Sequence, residues 1–173
     1  MKKLIAGGLF MAGVASLPVA ISTAGNQTPH VKSYENDPRF IRLRSFFQRW
    51  ECPAQYYAET FIEAADLYKL DWRLLPSISF VESTGGKEAP NNNLFGWDAG
   101  RAQFPTPSAG IHEVGYRLSH SDLYRDKSLD GLLITYNPNP DYVQLVKTVM
   151  RRIHPSLQVA AVSPQFSRNR TPM

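Results

Sequence analysis

Glu82 lies at the end of an apolar segment and shortly before a glycine-rich turn. Phe80 and Val81 precede it, and Gly85-Gly86 follows Ser83 and Thr84. Burial against such neighbours would disfavour the charged form of the carboxyl group and raise its pKa. A carboxylic acid that stays protonated near neutral pH can donate its proton to a glycosidic oxygen. The segment is also compatible with a solvated, inert glutamate at a helix C-terminus.

Residues 91–97 (Asn-Asn-Asn-Leu-Phe-Gly-Trp) combine amide and aromatic side chains in one short segment. Amides can hydrogen-bond to the hydroxyl and acetamido groups of sugars, and aromatic faces pack on pyranose rings. This composition favours a sugar-binding loop. The alternative is an asparagine-rich turn that places Phe95 and Trp97 in the core.

A third segment, residues 136–142 (Tyr-Asn-Pro-Asn-Pro-Asp-Tyr), joins two predicted helices. The phenol of Tyr136 could reach a neighbouring carboxyl group or a sugar. The spacing of Pro and Asn is equally explained by the end of one helix and the cap of the next.

Helical periodicity, capping residues and proline stops predict the elements that position these segments. Asp37-Pro38 opens the first helix, which Pro53 ends, and Pro76 predicts a kink or a late start in the third. We expect five to seven short helices with no convincing strand, and one long loop over 84–106. The predicted helices begin and end near residues 37–52, 54–68, 72–83, 106–118, 128–136 and 139–153.

Composition favours one globular domain whose stability depends on its core. The chain has 173 residues, of which 43% are hydrophobic, and the single Cys52 cannot form an internal disulfide. The net charge of +4 suits an anionic partner. No basic stripe interleaved with aromatics is visible, so we expect no nucleic-acid binding, although a binder of nucleic acid or another acidic polymer remains a weaker alternative. The four histidines are widely separated, and we expect neither a metal nor a cofactor.

The first residues predict export. A basic start and an apolar stretch from Leu4 to Ile21 precede small residues, which is typical of a signal peptide over 1–24. An uncleaved anchor is the alternative. We expect a linker over 25–36, a domain over 37–157, a disordered tail over 158–173, and no stable membrane insertion after signal cleavage. The protein would then be periplasmic or extracellular.

Together, the three segments resemble the bacterial glucosaminidase family of the lysozyme-like superfamily. That family carries a Glu-Ser pair, a loop with Asn-Leu-Phe-Gly, and a later tyrosine segment, which match Glu82-Ser83, residues 93–96 and residues 136–142. Residues 61–71 also resemble the helix and turn before the catalytic glutamate of lytic transglycosylases.

The resemblance implies an all-α, lysozyme-like bundle of short helices with one long active-site loop. It implies an endo-β-N-acetylglucosaminidase that acts on peptidoglycan glycan strands. Glu82 would be the catalytic proton donor, and Tyr136 would be a second catalytic residue that lies near it and could orient the reacting group. The expected glycan-binding residues are Ser83, Asn92, Asn93, Phe95 and Trp97.

A second acidic residue, which members of the family often carry, has no clear counterpart in this chain. Asp98 and Glu113 are the candidates closest to the loop. If neither assists, a single-glutamate mechanism would leave a lytic transglycosylase that forms anhydro-muramic ends as an alternative. A non-catalytic cell-wall glycan-binding protein is a further alternative. The sequence does not determine the oligomeric state.

Overall fold

A computed structural model describes residues 33–154, and within this range the fold is all-α with six α-helices and no strand. The predicted signal peptide, most of the linker and the predicted tail lie outside the described residues. In chain order the helices are α1 (Pro38–Arg49), α2 (Ala58–Tyr68), α3 (Leu74–Ser83), α4 (Pro107–His120), α5 (Leu129–Tyr136) and α6 (Pro140–Ile153). Two short 3₁₀ turns, Pro53–Tyr57 and Pro90–Asn92, complete the described elements.

Side-chain caps fix the start of four of these helices, as the sequence predicts. The oxygens of Asp37, Thr106, Ser128 and Asn139 each accept a hydrogen bond from a backbone N–H in the first turn that follows. These groups satisfy amides that have no partner inside the helix. The predicted starts of α1, α4, α5 and α6 are therefore confirmed.

Two predicted helices begin later than the sequence pattern suggests. Residues 53–57 form a 3₁₀ turn before α2. Asp71 accepts the Arg73 N–H at 2.9 Å within a turn, and α3 starts only at Leu74. Pro76 is then the third residue of α3, where its missing N–H is not needed by the helix. The late start, one of the two outcomes expected from Pro76, is the one observed.

The core forms where α2 packs on α4 and where α3 packs on α6. Its largest fully buried side chains include Phe47 from α1, Phe61 from α2 and Phe95 from the long loop. The rings of Phe61 and Phe95 meet edge to face, with centroids 6.4 Å apart. The loop between α3 and α4 is thus anchored in the same core as the helices.

The turn after α3 packs directly on Cys52. Gly85 has φ +61°, and a Cβ at this position would lie 2.8 Å from the Cβ of Cys52. The Gly85 carbonyl accepts the Ala54 N–H at 2.9 Å, which ties the turn to the segment after α1. Cys52 is fully buried, and burial raises the pKa of its thiol. Within residues 33–154 no helix combines the length and the apolar character that crossing a membrane requires.

Candidate active site

Glu82 occupies the last turn of α3 and is partly buried. The helix ends immediately after it because Thr84 takes the left-handed conformation, with φ +53°. Burial raises the pKa of the Glu82 carboxyl, and the neighbouring Tyr142 phenol acts in the opposite direction by stabilising the carboxylate. No other carboxylate contributes to this shift. The protonated form of Glu82 is therefore favoured relative to an exposed glutamate.

Gly96 of the long loop lies against the Glu82 carboxyl group. A Cβ at position 96 would be 2.8 Å from the Oε2 atom of Glu82, and the φ of Gly96 is +58°. Any other residue would meet the carboxyl group and would also be strained in this backbone conformation. Glycine at this position therefore lets the loop backbone approach the acid.

Ser83 connects the glutamate helix to the same loop. Its hydroxyl lies 2.8 Å from the Leu94 carbonyl and 3.0 Å from the Ser79 carbonyl, and it accepts the Gly86 N–H at 3.0 Å. The side chain is buried with these partners. Ser83 therefore positions the loop and the turn, and its hydroxyl is not available to a ligand.

The amides expected to bind sugar instead organise the loop. Asn93 is 3% exposed, and its side chain both donates to the Trp97 carbonyl and accepts the Trp97 N–H. Asn92 donates to the Phe104 carbonyl at 2.8 Å. Phe95 is fully buried. Asn93 and Phe95 are thus buried within the protein, whereas Asn92 is half-buried.

Tyr136 holds the loop from the opposite side. Its hydroxyl donates a hydrogen bond to the Phe95 carbonyl, next to Gly96. Its ring is nearly parallel to that of Tyr142, with centroids 6.0 Å apart. Burial, followed by the charge of Glu82, raises the pKa of Tyr136 well above its usual range. The three segments singled out in the sequence therefore converge around Glu82.

An open cavity of about 490 Å³ lies beside Gly96. Trp97 is its central aromatic wall, with its ring centroid 5.7 Å from that of Tyr136 and 6.1 Å from that of Tyr124. Aromatic faces and a few polar groups in a cavity of this size suit a sugar ring. The residues lining it are Gly96, Trp97, Asp98, Ala99, Ala102, Arg117, Tyr124 and Tyr136.

A second cavity, of about 430 Å³, shares the wall formed by Trp97, Ala102 and Arg117. The guanidinium carbon of Arg117 lies 5.8 Å from the centre of the Trp97 ring. This cation–π arrangement favours one orientation of the indole. The two cavities are therefore neighbours that share the Trp97 side chain.

Both candidates for a second carboxylate are paired with arginines. Asp98 lies 2.6 Å from Arg101 and lines the first cavity. Arg101 lowers the pKa of Asp98 by hydrogen bonding. Glu113 lies 2.6 Å from Arg117 and lines the second cavity. Each carboxylate is therefore held by an arginine, and neither contributes to the pKa shift of Glu82.

Comparison with known proteins gives no relative: no protein-family model matches the chain, and no curated protein is significantly similar to it. The geometry of the site is therefore the basis for assigning a function.

Three site residues were not singled out from the sequence. Tyr142 faces Glu82, while Tyr124 and Arg117 line the cavity beside Trp97. Tyr142 ends the segment 136–142, and its place in that segment is the sequence feature that points to it. Tyr124 and Arg117 had none, because their position depends on how α4 and the residues after it pack. Among the described residues, no group of three or more His, Cys, Asp or Glu side chains could hold a metal ion.

Proposed function

We propose that this protein is an exported peptidoglycan glycosidase that cleaves the β-1,4 linkage next to N-acetylglucosamine, with Glu82 as the general acid. One observation carries the proposal. A glutamate whose pKa is raised by burial lies against Gly96, and Gly96 in turn lines an aromatic cavity. This combination brings an acid whose protonated form is favoured close to a surface for sugar rings.

In the proposed reaction, the chain's own residues bind the glycan and move one proton. Trp97 would pack on a sugar ring, and Glu82 would give its proton to the glycosidic oxygen as the bond from C1 to that oxygen breaks. The positive charge that develops on the sugar is then quenched by an oxygen nucleophile. That nucleophile loses a proton, which returns to Glu82 and restores the acid.

The arrangement around Glu82 also supports an alternative reaction that gives a different product. Asp98 and Glu113 are engaged by arginines, and no carboxylate is coupled to Glu82. Without a second carboxylate to activate water, an oxygen of the substrate itself can attack C1. Attack by the 6-hydroxyl of a muramyl residue would give an anhydro-muramic end, as a lytic transglycosylase does. Attack by water would give a reducing end.

Digestion of purified cell walls tests the proposal. We expect the parent protein to release glycan fragments and Glu82→Gln to release none while keeping its helical circular dichroism. Mass spectrometry of the fragments separates reducing N-acetylglucosamine, reducing muramic and anhydro-muramic ends. Binding of walls without any fragment from the parent protein would contradict the enzyme and support a glycan-binding protein.

A further inference from the structure

The described arginines fall into two groups according to their partners. Those of the first group each form an ion pair with a carboxylate: Arg39, Arg73, Arg101, Arg117 and Arg125. Those of the second group form no ion pair within residues 33–154 and belong only to α1 and to the end of α6: Arg42, Arg44, Arg49, Arg151 and Arg152. The arginines without an ion pair are therefore concentrated on two helices that pack together.

Three of the unpaired arginines meet in one cavity. Arg42 and Arg49 of α1 and Arg152 of α6 line an open cavity of about 280 Å³, and no carboxylate lines it. Its remaining lining is Ile41, Ser45, Phe46 and Ile153. The cavity shares no residue with the two cavities beside Trp97. It is thus a separate cationic site.

Helix geometry explains why these arginines lie close together, but it does not explain why all three positions carry a positive charge. Arg42 and Arg49 are seven residues apart, so they lie on the same side of α1. Arg49 and Arg152 are in the last turns of their helices, where a positive charge complements the helix dipole. Arg42 lies inside α1, away from that end, and gains nothing from the dipole. Its position next to two other cations is unfavourable unless an anion binds there.

We propose that this cavity, the α1–α6 arginine site, binds phosphate groups. A tetrahedral phosphate presents several charged oxygens, so more than two guanidinium groups can donate to it at once. A single planar carboxylate is matched by one guanidinium fork and would leave the other charges uncompensated. Ile41 and Phe46 form an apolar part of the lining, which could contact the organic group of a phosphate ester. The site would take no part in glycan cleavage.

The test compares three proteins with the same N-terminus, recovered after export. They are the parent, the triple variant R42Q/R49Q/R152Q, and the control K69Q/K87Q/R125Q, which removes three exposed charges elsewhere. Binding of inorganic pyrophosphate is followed by amide chemical shifts. Binding to vesicles of phosphatidylglycerol with phosphatidylcholine, and to vesicles of phosphatidylcholine alone, is followed by flotation.

We expect the parent and the control to bind at least one phosphate probe, and R42Q/R49Q/R152Q to bind it about a hundredfold more weakly, because each arginine contributes roughly fivefold. Binding of pyrophosphate alone identifies a soluble phosphate as the ligand, and binding of the anionic vesicles alone identifies a lipid headgroup. The proposal is overturned if neither probe binds, or if both triple variants lose binding equally. Wall digestion by R42Q/R49Q/R152Q should equal that of the parent.

Discussion

Gly96 lies so close to the carboxyl group of Glu82 that a Cβ atom added at position 96 would collide with it. The Cβ of Gly96→Ala would lie 2.8 Å from the Oε2 atom of Glu82. We expect this variant to lose about tenfold or more of its wall-cleaving activity, because a misplaced acid transfers its proton poorly. We also expect a loss of about 1–2 kcal/mol in the free energy of unfolding from the left-handed backbone. Denaturant titration and wall digestion measure the two effects.

Gly100→Ala is the matched control for that variant. Gly100 also has a positive φ, +80°, but a Cβ there would meet nothing within 4 Å. It should show a similar cost in stability with little loss of activity. Equal losses of activity in the two variants would mean that the contact with Glu82 has no functional role.

Ser83→Ala should destabilise the protein by about 1–3 kcal/mol, because the buried Leu94 carbonyl and Gly86 N–H lose a hydrogen-bond partner. Ser77 and Ser79, on the same helix, provide controls. Their hydroxyls are buried without a hydrogen-bond partner in the described part of the chain. Replacing either by alanine should leave the free energy of unfolding unchanged or raise it. A Ser83→Ala variant as stable as the controls would contradict the role given to this hydroxyl.

Tyr136→Phe should reduce wall cleavage by about tenfold or more, because it keeps the ring but removes the hydrogen bond to the Phe95 carbonyl that holds the loop at Glu82. Tyr124→Phe is the control. Its ring lines the same cavity, and its hydroxyl makes no hydrogen bond within the described residues. It should retain most of the activity. If both variants behave alike, the hydrogen bond of Tyr136 does not position the loop.

The raised pKa of Glu82 predicts how stability and activity depend on pH. Because the folded state holds the Glu82 proton more tightly than the unfolded chain, the contribution of this group to stability is greatest at low pH. That contribution is lost as the pH rises through the folded pKa. Glu82→Gln should therefore stabilise the protein more at about pH 8 than at about pH 4. Thermal unfolding of both proteins across this range gives the comparison, and a difference that grows toward low pH would contradict the shift.

The same shift sets the direction of the activity profile. Since the proposed reaction requires protonated Glu82, cleavage should fall as the pH rises through its pKa. A profile that rises over this range would mean that Glu82 acts as a base.

Trp97→Ala should weaken glycan binding by about tenfold or more, because it removes the aromatic ring that lines both cavities. Trp50→Ala is the control, since Trp50 is 45% exposed and lines none of these cavities. Affinity for N-acetylglucosamine oligomers is best measured in a Glu82→Gln background, where no cleavage interferes. Equal loss in both variants would show that the aromatic cavity is not the binding surface.

Local signals in the sequence predicted the helices better than they predicted the roles of the loop residues. Caps such as Asp37 and Ser128 act on their own first turn, so the starts of α1 and α5 follow from a few neighbouring residues. The orientation of the Asn93 and Phe95 side chains depends on contacts with elements that are distant in the sequence. A run of amide and aromatic residues does not show which side chains turn toward the core. In the structure, the side chains of Asn93 and Phe95 are buried.

The close packing of Gly85 on Cys52 provides a built-in reporter of motion at the site. Cys52 is the only cysteine in the chain, and it is covered by the turn that begins two residues after Glu82. A thiol reagent can reach it only when this turn or its neighbours open. The rate of labelling of the unmodified protein therefore measures how often the end of α3 separates from the segment after α1. A glycan that slows labelling would do so by holding the turn closed.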